Sequence, residues 1–255
     1  MYRMLCSDLR RLFKSKIFYM AVIGYAFVYT SMLPLIMWII NLFAHTPAEY
    51  ADTELKGQPG TAAIAIAVFV TAFILKEFTE GSIRNKLSSG AKRSDIFLSM
   101  AVTSAVAAFA IQAAALASIV ISGKLFMAGF LLSGKEILLI NLVYVIAAVA
   151  LAIFDTALMF ILGGNQISIF AGTLIAVAMK FLSIMVLEDL YPEVGGPLVS
   201  GTKLAVFSFL DKYVPYFHLL DFPRHGWDAY VIGGAALTVI SLVAGIIIFE
   251  KKDLK

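Results

Sequence analysis

Long uncharged apolar runs, separated by shorter charged segments, set the pattern of this chain. The first run covers residues 17–43, with Pro34 placed to kink it. The second, 58–75, follows the Gly/Pro-rich stretch Lys56-Gly57-Gln58-Pro59-Gly60, which reads as a turn. The third, 96–122, is crowded with alanine, and small side chains let membrane helices approach closely. The fourth, 137–162, is interrupted only by Asp155, the fifth, 167–187, only by Lys180, and the sixth is 229–249. A helix needs roughly 20 apolar residues to cross a hydrocarbon core about 30 Å thick. The pattern therefore predicts an all-α membrane protein with six transmembrane helices. The runs are continuous rather than alternating, which argues against barrel strands. Residues 163–166 form a tight turn, so the fourth and fifth spans are expected to pair as a helical hairpin.

Three segments lie outside these runs. Residues 1–16 read as an amphipathic interfacial helix preceding the transmembrane domain of 17–255. At about 100° per residue, Met1, Tyr2, Leu5, Cys6, Leu9, Leu12 and Phe13 share one face, and Arg3, Ser7, Arg10, Arg11 and Lys14 the other. Such a helix lies in the headgroup layer with its basic face toward lipid phosphates or the cytosol. The loop 76–95 is expected to hold a short helix across the membrane surface, with Phe78, Ile83 and Leu87 along one side and Glu77, Glu80, Arg84 and Lys86 in water. Ser88-Ser89-Gly90 is its stop signal, and Ser94 is the expected cap of the third span. The segment 188–228 is too rich in Pro, Gly and charge to span. Its aromatic pieces, 204–210 and 213–220, are expected to be two short helices that dip into the outer leaflet and return.

Composition sharpens the class. The chain is 61% hydrophobic and 15% charged, too little charge to cover a soluble domain of 255 residues. The net charge of +3 is mild, and the basic residues flank apolar runs, which fits lipid headgroups and not nucleic acid. Arg3, Arg10, Arg11, Lys14, Lys16, Lys76, Arg84, Lys86, Lys92, Arg93, Lys251, Lys252 and Lys255 fall on one side of the six-span layout. Lys56, Lys124, Lys135, Lys203, Lys212 and Arg224 fall on the other. The richer side is cytosolic by the positive-inside rule, so a multi-pass plasma-membrane protein with both termini in the cytosol is expected. The first run is too long for a signal-peptide core and is expected to stay in the mature protein. Cys6 is the single cysteine, so no intrachain disulfide forms.

Candidate chemistry is sparse. Asp155 and Lys180 are ionisable residues inside apolar runs, and such residues are functional candidates by default. Measured from the 163–166 turn, their axial offset is roughly 9 Å at 1.5 Å per residue, so a snorkelling lysine can be paired with the carboxylate. The competing expectation places Lys180 on a translocation path. His218, Asp221, His225 and Asp228 have no compact metal spacing and read as surface residues, with no metal site assigned. His45, Glu49, Asp52 and Glu54 read as a solvated acidic face. No Ser/His/acid set or H-E-x-x-H pattern stands out, so an enzyme is not expected.

The loop sequence Glu77-Phe78-Thr79-Glu80-Gly81-Ser82-Ile83-Arg84-Asn85-Lys86-Leu87, followed by Gly90, Lys92-Arg93 and Ile96, resembles the first cytosolic loop of permease subunits of ATP-binding-cassette (ABC) exporters of the second permease type. The closing Phe249-Glu250-Lys251-Lys252-Asp253-Leu254-Lys255 is similar to that family's usual end, and the layout agrees along the whole chain. The likeness is to bacterial permeases made as separate chains. It implies a dimer, with a second copy or a paralogue, bound to cytosolic ABC ATPase subunits. It further implies that Glu77, Glu80, Gly81, Ser82, Ile83, Arg84, Asn85, Lys86 and Leu87 form the coupling helix, braced by the interfacial helix. The path would run at the dimer interface. No G-x-x-x-x-G-K-[ST] phosphate loop is present, so no cofactor is expected on this chain, and ATP and Mg belong to the partner ATPase. An apolar, Ala-rich interior would suit amphipathic or hydrophobic cargo. The alternative is a stand-alone membrane protein, such as an immunity factor or an ion-driven carrier, although a carrier needs more buried carboxylates than Asp155 alone.

Overall fold

A computed structural model of the chain describes residues 1–28, 32–44, 50–192, 195–219 and 224–252, apart from the side chains of 33, 34, 44, 53, 54 and 56–59. The described residues form helices and no strands: α1 (Tyr2–Lys14), α2 (Lys16–Phe27), α3 (Leu33–Ala44), α4 (Asp52–Thr79), α5 (Ser82–Ser88), α6 (Arg93–Leu125), α7 (Gly134–Leu162), α8 (Gln166–Leu190), α9 (Gly201–Tyr213), a 3₁₀ turn (Phe217–Leu219) and α10 (Trp227–Lys251). Five of these, α4, α6, α7, α8 and α10, are long and apolar enough to cross a membrane.

α6 and α7 form the centre, packed along their alanine-rich faces. Ala107, Ala108 and Ala115 of α6 and Ala147, Ala148 and Ala152 of α7 are all buried, as the small-residue pattern implies. Hydrogen bonds tie neighbouring helices. Thr156 donates to the Ser104 hydroxyl at 2.9 Å, Gln112 to Asn141 at 3.1 Å, and Ser118 to the Ala26 carbonyl at 2.9 Å. α10 packs on α7 and α6, α4 fits against α6, α7 and α8, and α2 lies on α6 and α4. Exposed Ile, Leu, Val and Phe side chains cover the outer faces of α8 and α10, as expected for helices facing lipid.

Several sequence expectations change. The first run is carried by two twelve-residue helices, α2 and α3, and 29–31 between them lie outside the described residues. The Gly/Pro-rich stretch 56–60 is helix, not turn, because α4 starts upstream at Asp52. Asp52 is buried, not part of a solvated face. Its carboxylate accepts the amides of Leu131 at 2.8 Å and Leu132 at 3.4 Å, which fixes the helix start against the α6–α7 loop. Lys92, not Ser94, precedes α6, with no side-chain cap, and Ser94 falls inside the first turn.

The 163–166 turn is tight as expected. Gly163 and Gly164 have φ of 89° and 60°, and Asn165 caps α8 in a reciprocal box with Ser168. Yet α8 rests more on α4 than on α7, so the pair is not a simple hairpin. Of the two short helices expected after α8, α9 is longer than read, and the second is only the 3₁₀ turn. Residues 220–223, and with them Asp221, are among those not described, as are His45, Glu49 and the closing 253–255.

α10 passes so close to the end of α9 that a Cβ on Gly233 would collide with the Tyr213 carbonyl, whereas nothing lies within 4 Å of one on Gly24. Gly233→Ala is expected to lower the unfolding temperature in detergent by several degrees, at about 2–4 °C per kcal/mol for this chain length. Gly24→Ala, which only gains helix propensity, is expected to leave it unchanged or slightly raised.

Candidate functional site

The segment between α4 and α6 is built by two left-handed glycines. Gly81, with φ of 70°, turns the chain out of α4, and Gly90, with φ of 85°, turns it back into α6. Between them α5 lies as a seven-residue helix that stops at Ser88, as the Ser-Ser-Gly signal implies. Its inner side is apolar: Ile83 is buried, Leu87 packs against the same cluster, and so does Phe78 from the end of α4. Glu80, Arg84, Asn85, Ser88 and Ser89 face outward.

Charge fixes this helix in place. α1 presents Met4, Asp8 and Leu12 inward at i, i+4 and i+8. Asp8 is only 1% exposed. It accepts the Lys86 ammonium at 2.6 Å and the Ser99 hydroxyl at 2.6 Å. Arg11 donates to the Glu77 carboxylate at 2.7 Å. Glu77 also accepts the Ser82 hydroxyl and lies 3.9 Å from Lys86. Two acids and two bases thus balance, drawn from α1, the end of α4 and α5, with Ser99 of α6 completing the shell.

Glu77 and Lys86 are therefore not in water, contrary to the reading from sequence, because α1 covers them with counter-charges. Asp8 is not among the candidates that the sequence offers. Its signal was an acid within an otherwise basic helix, one turn from Met4 on one side and Leu12 on the other. Arg3, Arg10 and Lys14 are exposed, as the amphipathic pattern requires.

The last turns of α7 and α10 meet at the same end. Phe160 packs edge-on against Phe78, Phe97 and Phe249, with ring centroids 5.3, 5.3 and 4.7 Å away. Arg93 donates to the Phe249 carbonyl at 2.8 Å and to the Lys252 carbonyl, and Lys252 donates to the Ile161 carbonyl at 2.7 Å. Two cations thus cap two helix C-termini, where the backbone dipole favours them.

Asp155 and Lys180 are not brought together. Asp155 is fully buried, and neither carboxylate oxygen has a hydrogen-bond partner. It faces Gly172 of α8, where a Cβ would lie 3.8 Å from Oδ1. Lys180 is eight residues further along α8, roughly 12 Å at 1.5 Å per residue, beyond the reach of a lysine side chain.

A second polar cluster closes the opposite end. Asp211 of α9, 3% exposed, accepts Tyr191 Oη at 2.8 Å, contacts His225 Nε2 at 2.9 Å and faces Arg224 at 3.5 Å. His218 is buried and not a surface residue: it lies edge-on to Tyr230 at 4.6 Å, with Nε2 3.1 Å from the Lys212 carbonyl. Burial pushes its pKa down to about 4, against the opposing pull of that carbonyl and of Asp211. No group of three or more possible metal ligands occurs among the described residues. Comparison with known proteins finds no matching family model and no matching curated protein.

Asp8→Asn leaves Lys86 buried beside a lost counter-charge and is expected to destabilise the chain by about 3–5 kcal/mol. Thermal unfolding and proteolysis within α5 would record it. Asp8→Asn with Lys86→Met should cost less than the sum of the two single changes. At the other end, an unfolded imidazole titrates near 6.5. Between about 4 and that value the unfolded chain binds the extra proton, so the His218 contribution is complete above the window and is lost as pH falls through it. The expected slope is up to about 1.4 kcal/mol per pH unit, and His218→Phe should flatten it in a pH series of unfolding temperatures.

Proposed function

We propose that the chain is the membrane-spanning permease subunit of an ATP-driven exporter, worked by a separate cytosolic ATPase. The observation that carries this reading is α5: a short helix stopped by glycine turns, held from behind by a buried charge cluster, with Glu80, Arg84 and Asn85 turned outward. A helix fixed on one side and exposed to solvent on the other can transmit a push to α4 and α6, which it joins directly. Backing by α1 supports such a role, because a handle that yields transmits no work.

In this reading α2 and α3 together make a first crossing, which brings the count to six and puts both termini on the Lys/Arg-rich, cytosolic side of a bacterial plasma membrane. α9 and the 3₁₀ turn form an external element that re-enters the outer leaflet. Two copies, or this chain and a paralogue, enclose the path. The alanine-rich interior suits amphipathic or hydrophobic cargo. ATP and Mg act on the partner.

An ion-driven carrier is the second reading, favoured by the buried, unpartnered Asp155. Carriers gather several such groups at mid-membrane, and among the described residues Asp155 is the one carboxylate in the middle of a long apolar helix. The motor reading therefore stands ahead.

Affinity purification of the tagged chain from its native membrane should bring a soluble ATPase with it. Arg84→Glu is expected to reduce that recovery about tenfold, the loss of one contact worth about 1.4 kcal/mol, without changing how the permease itself elutes. A transport-active wild-type preparation that carries no ATPase would end this reading.

A further inference from the structure

A cavity of about 460 Å³ opens between α1 and the last turns of α4. That size falls within the roughly 300–1,000 Å³ of small-molecule sites. Its lining is basic: Arg10, Arg11 and Lys14 of α1 face Lys76 of α4. The two acids present are already engaged, Glu77 by Arg11 at 2.7 Å and Glu80 by Lys76 at 3.6 Å. Arg10 and Lys14 remain as uncompensated cations.

The wall holds a second and independent sign of a ligand. Ser15 is 8% exposed, lines the cavity, and its hydroxyl has no hydrogen-bond partner. Ser15 is also the cap position of α2, yet its side chain makes no capping bond, and the first turn of α2 carries no acid. One buried hydroxyl and two cations together fit an anion with several oxygen acceptors.

We propose that this cavity is a binding site for the phosphate of an anionic phospholipid headgroup. The chemistry is that of any phosphate, and position favours the lipid. Phe73 lines the cavity, and Phe13, next to Lys14 in the chain, and Tyr19, in the first turn of α2, are exposed aromatic side chains that acyl chains would cover. Arg10 and Lys14 hold the phosphate oxygens, and Ser15 donates a hydrogen bond. The bound lipid clamps α1 to α4, and hence the base of the charge cluster. The site does not depend on the motor reading, since it needs only a membrane surface.

The test is native mass spectrometry of the full chain released from phosphatidylcholine nanodiscs doped with phosphatidylglycerol. The wild-type chain should retain phosphatidylglycerol. Arg10→Gln with Lys14→Gln should weaken retention by about tenfold or more, through the loss of charge-assisted hydrogen bonds to the phosphate. Lys92→Gln with Lys251→Gln removes the same charge from outside the cavity and should leave retention unchanged. Ser15→Ala, which alters no charge, should also weaken it. Equal loss in both charge pairs would overturn the proposal, because surface potential would then suffice. Retention of added inorganic phosphate with no retained phosphatidylglycerol would overturn the lipid assignment.

Discussion

A carboxylate cannot enter a low-dielectric interior without partners, and the Lys/Arg-rich end of this protein is organised around that constraint. Asp8 is nearly inaccessible to solvent, and the Lys86 ammonium and Ser99 hydroxyl are what make its burial tolerable. The same demand draws Arg11 onto Glu77 and Ser82 onto the same carboxylate. Each contact joins a different pair of elements, so α1, α4, α5 and α6 can meet in only one register. A hydrophobic contact would have allowed sliding; a buried ion pair does not.

Around this cluster the structure uses less directional forces. The Phe78, Phe97, Phe160 and Phe249 rings fill the space beneath it, and alanine faces let α6 and α7 lie close. Arg93 and Lys252 tie the ends of α10 and α7 to the same region. The result is a stiff end in which a short outward-facing helix is mounted. The opposite end is closed by a separate polar cluster on Asp211, built of the Tyr191 hydroxyl, the His225 imidazole and the Arg224 guanidinium. Force applied at one end would reach the other through α4, α6, α7 and α10, which are continuous helices. This mechanical continuity is what makes the permease reading attractive.

The candidate site was legible only in part. Gly81, Gly90 and the Ser-Ser-Gly stop located α5, because backbone punctuation is local. The sequence does not show that Glu77 of α4 and Lys86 of α5 turn inward, because their counter-charges sit on α1, far away in sequence. Asp8 is hidden in the sequence for the same reason: one acid among bases looks like charge balance until its partner is placed beside it. Asp155 and Lys180 show the converse error. Chain spacing allowed a pair, but α8 sets Gly172, and not Lys180, opposite the carboxylate.

By itself the sequence determined the helical state, the presence of helices long and apolar enough to cross a membrane, and the places where α6, α7, α8 and α10 begin and end to within three residues. Those follow from the length and polarity of each run, which are properties of consecutive residues. Only the tertiary structure decided that α4 extends back through a Gly/Pro stretch to a buried Asp52, that α8 leans on α4, and which charged residues are hidden. Each of those depends on a group supplied by a distant part of the chain, so the free energy that fixes it is absent from any local window.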